Sequence, residues 1–322
     1  MKIKLYIKPF SFKLNHILRT STGSIKEKEG WLICLKGDNG SIGWGEIAPL
    51  NKKEKLLIQK LIARFKQNIL KEDLEKLINI WPGSLSFGFG AALAEIDGLV
   101  GSNSEEDWLA APQSALLLGT NKNIIKELKT KILLFDNRFD SYTIKWKVGI
   151  EPNSIERIIL KEMLKIMPEN WRIRIDANGS WDLNQAIGWA EQLCNESRLD
   201  WIEQPLNSKD IKGHKELSKL LPIALDESLF VEPSLREEWD GWQIRRPLIE
   251  GDPRILLKQL QEGKSNVVIT TGFETGIGRR WINHLAGLQN TSSKPIAPGL
   301  APGWCPENAL FSSNPKSVWE YK

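Results

Sequence analysis

Histidine and cysteine are scarce, with three of each in 322 residues. His16, His214 and His284 stand far apart, so no histidine-cysteine cluster of the kind that holds zinc is written into the chain, and each histidine reads as a surface or packing residue. Cys34, Cys194 and Cys305 are widely spaced and odd in number, which argues against a disulfide framework and suits a reducing, cytoplasmic location. No apolar run approaches the ~20 residues that a membrane span requires. The opening Met1–Lys8 alternates like a strand instead of showing a signal-peptide core, so a soluble protein without a membrane span is expected. Charge of one sign is missing too: 44 basic and 40 acidic residues leave a net charge of +4, mixed along the sequence. Without a basic run or a basic-aromatic alternation, nucleic acid is not an indicated partner.

What is present is length enough for a large core, one barrel and a smaller domain. Residues 1 to 50 read as a β meander with turns at Gly23, at Asp38-Asn-Gly40 and at Gly43. Asn51 to Ile80 reads as helical, with Leu57, Leu61, Phe65 and Ile69 at fourfold spacing as its core face, and Ser86 to Val100 as a second helix rich in Ala and Gly. The polar stretch Gly101–Asp107 precedes Ser114–Gly119, which reads as a first barrel strand. The expected division is a 1–108 α+β domain, a 109–303 barrel domain, and a 304–322 C-terminal segment that returns to the first domain. Most of the 14 tryptophans are expected between strands and helices.

The strongest pattern lies in the middle of the chain. Tyr142-Thr-Ile-Lys-Trp-Lys-Val-Gly149 is short, β-branched and aromatic, and reads as a strand. Alternation then places Lys145 and Lys147 on one face, where two like charges make either amine easier to deprotonate. Downstream, three apolar runs each end in an acid: Asp176, then Glu203 after 27 residues, then Asp226 after 23 more. Those steps suit a strand, a helix and the next strand. The intervening helices are credible: Asp182 to Cys194 opens on a cap-like Asp182 with Gln185 three residues on, and Asn153 to Met167 carries Glu156 and an apolar stripe of Ile155, Ile158, Ile159 and Leu164. Strand-helix repetition implies a parallel sheet, with the chemistry at the carboxyl ends of the strands.

Three carboxylates on one rim would repel by about 4 kcal/mol per pair at ~4 Å and an effective dielectric of roughly 20. A divalent cation removes that repulsion, and all-oxygen ligands favour Mg²⁺ or Mn²⁺ over zinc. The bland alternative is that each acid caps the helix after it, as Asp182 does. Three acids on successive strands, downstream of a paired lysine face, favour the metal.

Lys145-Trp-Lys147, Asp176-Ala-Asn178, Trp201-Ile-Glu-Gln-Pro205 and Leu225-Asp-Glu-Ser228 resemble the motifs of the enolase superfamily, in its muconate-lactonizing-like branch. The resemblance runs from Gly43-Trp-Gly-Glu-Ile-Ala-Pro49 to Pro298-Gly-Leu-Ala-Pro-Gly303. It implies an α/β fold, a modified TIM-type (β/α)7β barrel with an α+β capping domain. It also implies a hydro-lyase dependent on Mg²⁺, with Mn²⁺ as a possible substitute. The substrate would be a small-molecule carboxylate, 2-succinyl-6-hydroxy-2,4-cyclohexadiene-1-carboxylate, dehydrated on the way to menaquinone or phylloquinone. Lys147 would be the acid-base group, Lys145 its neighbour that lowers its pKa and helps hold the carboxylate, and Asp176, Glu203 and Asp226 the metal ligands.

Two-base relatives carry a lysine before a proline on the sixth strand, where this chain has Arg246. Arginine stays protonated, so a two-base racemase is disfavoured and a one-lysine dehydration preferred. Arg246 would lie over the substrate's π-system or steady an enolate, or else form a structural ion pair, the role also open to Arg245. Arg174, two residues before Asp176, either orients a site carboxylate or makes a buried pair. Asn178 and Glu227 would support the acids next to them rather than bind metal. Thr271, Thr275 and Gly276, in a Gly-rich turn entering a helix, and Gly299 are the resemblance's candidates for a succinyl carboxylate; Arg19, in Leu18–Gly23, would be a loop contact. The rivals are a racemase, dipeptide epimerase or cycloisomerase of the same superfamily, and a non-catalytic binding barrel. Oligomeric state is left open.

Overall fold

The computed structural model describes residues 1–20, 23–101, 107–119, 123–135, 141–290 and 296–322; the side chains of 18–20, 23 and 290 also lie outside the description. Two compact units emerge: Met1–Gln113 with Arg245–Ser265 and Ile269–Lys322, and Ser114–Ile244 with Asn266–Val268.

The first unit opens with three long antiparallel strands, β1 (Lys2–Thr20), β2 (Gly23–Gly37) and β3 (Ile42–Ile47). Gly43, expected in a turn, lies inside β3. The reason is steric: helix α3 (Gly83–Ile96) packs directly on this strand, so a Cβ on Gly43 would stand 1.8 Å from the Ala92 carbonyl oxygen and one on Gly45 1.9 Å from that of Gly88. The helix expected over residues 51–80 is broken into α1 (Lys52–Ile62), a short strand β4 (Asn68–Leu70) and α2 (Lys71–Ile78), before α3 (Gly83–Ile96). Here the exposed edge of β1 wins over helical periodicity. Its backbone groups pair Lys2 with Leu70 and Lys4 with Asn68, and Leu5 N–H donates to the Gln67 carbonyl. Consequently Ile58, not Leu57, is the buried residue of α1, while Leu61, Phe65 and Ile69 pack at the margin of the core. The second helix starts three residues earlier than expected, directly after Pro82, whose ring suits a helix entry.

In the second unit β5 (Leu116–Leu118), α4 (Ile124–Leu134), β6 (Thr143–Lys147), α5 (Asn153–Ile166), β7 (Arg172–Asp176), α6 (Leu183–Leu193), β8 (Leu199–Glu203), α7 (Ile211–Leu217) and β9 (Ile223–Leu225) alternate. Short helices α8 (Glu227–Val231) and α9 (Leu235–Glu238) lead to β10 (Trp242–Arg245). After α10 (Pro247–Glu250) and α11 (Pro253–Gln261) the sheet gains β11 (Val267–Ile269). The seven strands lie in sequence order, and β5 to β10 pair in parallel. This is the strand-helix connectivity of a β/α barrel, as expected. Trp146, Trp171, Trp181 and Trp189 fill the layer between strands and helices. On α5 half of the expected stripe holds: Ile159 and Leu164 pack against the core, but Ile158 is 59 % exposed and Ile155 is exposed too, while Glu156, Leu160 and Met163 are buried. Glu156 turns inward because its carboxylate serves the loop before the helix.

The first unit closes with α12 (Gly276–Asn290) and α13 (Pro315–Glu320). Within it, Phe273, Ile277, Cys305, Leu310 and Val318 share a core cluster with Phe12, Leu32, Cys34 and Trp44. All three cysteines are free, with Cys34 and Cys305 buried. Among the described residues, no helix is long and apolar enough to cross a membrane.

Candidate active site

Strand register assembles the site. Lys147 of β6 pairs with Asp176 of β7, and Asp176 pairs with Glu203 of β8, which pairs with Ala224 of β9, two residues before Asp226. Paired residues of parallel strands face the same side, so Lys147, Asp176 and Glu203 share one level at the carboxyl ends of their strands. Lys145, one step below, pairs with Arg174. Along β6, Ile144, Trp146 and Val148 are buried in the outer layer while Thr143, Lys145 and Lys147 face the interior, which is the alternation read from the sequence.

The Lys145 ammonium bridges two of the acids, 2.9 Å from Asp176 Oδ2 and 2.6 Å from Glu203 Oε1. Burial disfavours its charge, but Asp176, Glu203 and Asp226 outweigh that and hold its pKa above the ordinary lysine value. Burial disfavours the charge of Asp176 as well, which acts upward on a carboxyl, yet the Lys145 and Lys147 ammonium groups keep it below its usual range. Glu203 goes the other way. Burial first, then the neighbouring Asp176 charge, push it upward despite its bond to Lys145.

Burial is the larger cause of that rise, and the charges of Asp176 and Asp226 add to it. Among the described residues, no three acid, histidine or cysteine side chains are gathered closely enough to hold a metal ion as they stand. The donor chemistry nevertheless fits one: Asp176, Glu203 and Asp226 are all buried and offer only carboxylate oxygens, the donors that a hard divalent cation takes.

Surrounding side chains hold this arrangement. The buried Glu156 carboxylate accepts the N–H groups of Gly149, Ile150 and Glu151 at 2.9, 3.0 and 3.1 Å, which ties down the turn after Lys147. Gly149 is required there, since its φ is +79° and a Cβ would lie 1.8 Å from Ser180 Oγ. A glutamate in the first turn of a helix following a Gly-closed strand was the available signal. Asn178, at φ 45°, donates its N–H to Asp176 Oδ1 at 3.0 Å and its side-chain amide to Glu227 Oε1 at 3.2 Å. Arg174 Nε donates to Asp200 Oδ2 at 2.9 Å, and its guanidinium lies 4.1 Å over the Trp201 ring, so it pairs with Asp200, a residue outside the acid triad. Gln204, directly after Glu203, receives the N–H of Asp226.

The remaining candidates belong to the other unit. Thr271 donates its hydroxyl to Glu274 Oε2 at 2.6 Å, and its N–H goes to the Gly299 carbonyl; Gly299 also forms an isolated parallel bridge with Thr270. The anion expected at the entry of α12 is present, but it is the chain's own. The buried Glu46 carboxylate accepts the N–H and hydroxyl of Thr275 and the N–H of Gly278. Gly276 is needed for packing, because a Cβ there would lie 1.9 Å from the Ser312 carbonyl oxygen. Arg245 makes an ion pair with Glu250 at 2.7 Å, and the Arg246 N–H donates to the same carboxylate. The Arg19 side chain lies outside the described residues.

Known proteins agree with this geometry. The family model described as Enolase C-terminal domain-like matches residues 137–237. The o-succinylbenzoate synthase of Thermosynechococcus vestitus is 28% identical over 286 residues, covering 84% of this chain and 85% of that protein. A hydrophobic dipeptide epimerase of Flavobacteria bacterium (strain MS024-2A) is 28% identical over 257 residues, 71% of this chain and 70% of its own length. The crystal structure of o-succinylbenzoate synthase from Thermosynechococcus elongatus, complexed with Mg in the active site, superposes with a TM-score of 0.79 at 25% identity, over 98% of this chain and 99% of that one. In motifs, strand register and these likenesses the chain is similar to enzymes of the enolase superfamily, the o-succinylbenzoate synthases among them.

Proposed function

We propose that the chain dehydrates 2-succinyl-6-hydroxy-2,4-cyclohexadiene-1-carboxylate to o-succinylbenzoate, with Mg²⁺ held by Asp176, Glu203 and Asp226 and Mn²⁺ as a substitute. The carrying observation is the register that sets Lys147 level with Asp176 and Glu203 while Lys145 spans the two acids. When bound, the cation would neutralise the negative charge that gathers on the substrate carboxylate as its α proton leaves. Lys147, as the neutral amine, takes that proton, and the C–H electron pair moves into the carboxylate to give an enediolate. The electron pair then returns to the ring, the carbon-oxygen bond of the ring hydroxyl breaks, and the ammonium of Lys147 gives its proton to the departing oxygen. One water leaves, the ring becomes aromatic, and the lysine is restored. Lys145 keeps a fixed positive charge beside the acids and the incoming carboxylate.

The test is to follow the loss of diene absorbance with Mg²⁺ and with excess chelator. Turnover only with the metal supports the assignment, and full activity in chelator overturns it. Likeness to the dipeptide epimerase keeps a second reading in view. Against it stands Arg246, where two-base relatives have lysine. Solvent deuterium entering the α position of both enantiomers of a dipeptide or N-acylamino acid would favour that reading.

A further inference from the structure

Resting on that metal reading, we propose that Gln204 is a positioning residue for Asp226, and that its carboxamide sets the affinity of the site for the divalent cation. Main-chain pairing between β8 and β9 reaches Glu203 and Ala224, and ends with Gln204 N–H donating to the Ala224 carbonyl at 2.8 Å. It cannot continue. Gln204 turns away at φ 39°, and Pro205 brings no N–H. The side chain of Gln204 takes over the ladder, its Oε1 accepting from Asp226 N–H at 3.0 Å and Ser228 N–H at 3.1 Å. One oxygen atom thus accepts from the backbone on both sides of the Asp226 carboxylate.

The other half of the amide is also held. Nε2 lies 3.0 Å from the Leu206 carbonyl, 2.8 Å from Ser228 Oγ and 3.2 Å from His214 Nε2. A carbonyl only accepts, so the Leu206 contact settles which end of the amide is nitrogen. His214 agrees: its Nδ1 faces the Asp210 carbonyl at 2.7 Å and must carry the hydrogen, which leaves Nε2 bare to accept. Ser228 Oγ in turn donates to the Ser208 carbonyl at 2.9 Å. Gln204, His214 and Ser228 are all fully buried, so no water competes for these bonds. The amide therefore has one orientation, and that orientation presents an acceptor to Asp226. Groups that orient a metal ligand from behind usually change metal affinity when removed.

The experiment is calorimetric titration of the full chain with MgCl₂, alongside the Mg²⁺ dependence of turnover. Gln204→Met keeps the length and loses the amide; its Mg²⁺ dissociation constant should rise about 10- to 100-fold. Turnover at saturating Mg²⁺ should stay within a few-fold of the parent. Ser228→Ala, which removes one acceptor and leaves both bonds to Oε1, should show a smaller rise. Arg198→Met is the stability control: that guanidinium bonds Glu196 and the carbonyls of Met167 and Leu164, none of them at the site, so Mg²⁺ affinity should stay at the parent value. A folded Gln204→Met protein with the parent's Mg²⁺ affinity overturns the proposal. If that variant does not fold, Ser228→Ala decides, and parent-like affinity there overturns it. A parent that takes up no Mg²⁺ would instead overturn the metal reading beneath it.

Discussion

Replacing Lys145 by methionine separates the electrostatics of the site from its chemistry. The side chain keeps its length and loses the ammonium that bridges Asp176 and Glu203. Both carboxylates are only 1% exposed, so water cannot replace the lost charge. Removing one partner of a buried ion pair typically costs about 3–5 kcal/mol, because the remaining charge is stranded. Here two carboxylates lose that partner, and Asp176 keeps only the Lys147 charge. Glu203 has an outlet, since burial and Asp176 already push its pKa upward and it takes up a proton more readily once Lys145 is gone. The expected loss for Lys145→Met is therefore about 3–5 kcal/mol at neutral pH in chelator, shrinking as the pH falls and the acids protonate. Mg²⁺ should reverse much of it. A ligand at 100 times its dissociation constant stabilises by about 2.7 kcal/mol, and the variant should gain more than the parent because no ammonium competes for the same oxygens. Urea unfolding followed by tryptophan fluorescence, with and without Mg²⁺, measures both quantities. Equal midpoints for parent and variant in chelator would refute the claim that Lys145 compensates the acids.

Lys147→Ala should lose the acid-base share of catalysis, roughly 10²- to 10⁴-fold in kcat, with circular dichroism unchanged; near-normal turnover would place the base elsewhere. Arg246→Lys should dehydrate modestly less well and Arg246→Met less again, within about 0.5–2 kcal/mol in kcat/KM, and any racemisation should appear only in the lysine variant. His214 is depressed below its ordinary pKa of 6.5 by burial, so the unfolded chain binds its proton first, and the stability this gives is complete above that pH and lost as the pH falls below it. His214→Gln should lower the slope of stability against pH below 6.5 by up to about 1.4 kcal/mol per pH unit, and an unchanged slope would show that His214 titrates alike in both states. Gly45→Ala would press a Cβ to 1.9 Å from the Gly88 carbonyl oxygen and should destabilise the first unit by about 1–3 kcal/mol or more, read from its melting temperature; a neutral result would mean that α3 shifts freely on β3.

How far the chain could be read depended on whether the deciding partners were near in sequence. The cap Asp182 and its donor Gln185 are three residues apart and formed as expected, with Gln185 N–H 2.8 Å from the Asp182 carboxylate. The helix after Asn51 was right where Asn51 caps Glu54, and wrong past residue 63, where the partner that broke it was the edge of β1, some sixty residues away. Half of the stripe on α5, Ile155 and Ile158, failed for a similar reason. Periodicity located an apolar face but could not show that a turn lacking hydrogen-bond acceptors would claim Glu156 and rotate the helix.

At the candidate site the sequence by itself determined the residue types, their alternation and their order. A two-residue period puts Lys145 and Lys147 on one face whatever else happens, and acids closing successive strands of a parallel sheet must gather at one rim. Only the tertiary structure decided the partners. It gave Lys145 to Asp176 and Glu203, and Arg174 to Asp200; it filled the amide-lined entry of α12 with Glu46, and made Gln204 the support of Asp226. Each of these contacts joins residues at least 22 positions apart, and burial decides which of several polar groups of similar reach is satisfied. A buried donor or acceptor without a partner costs about as much as the bond itself contributes, so the pairing is settled by the whole packed arrangement and not by any local run of the chain.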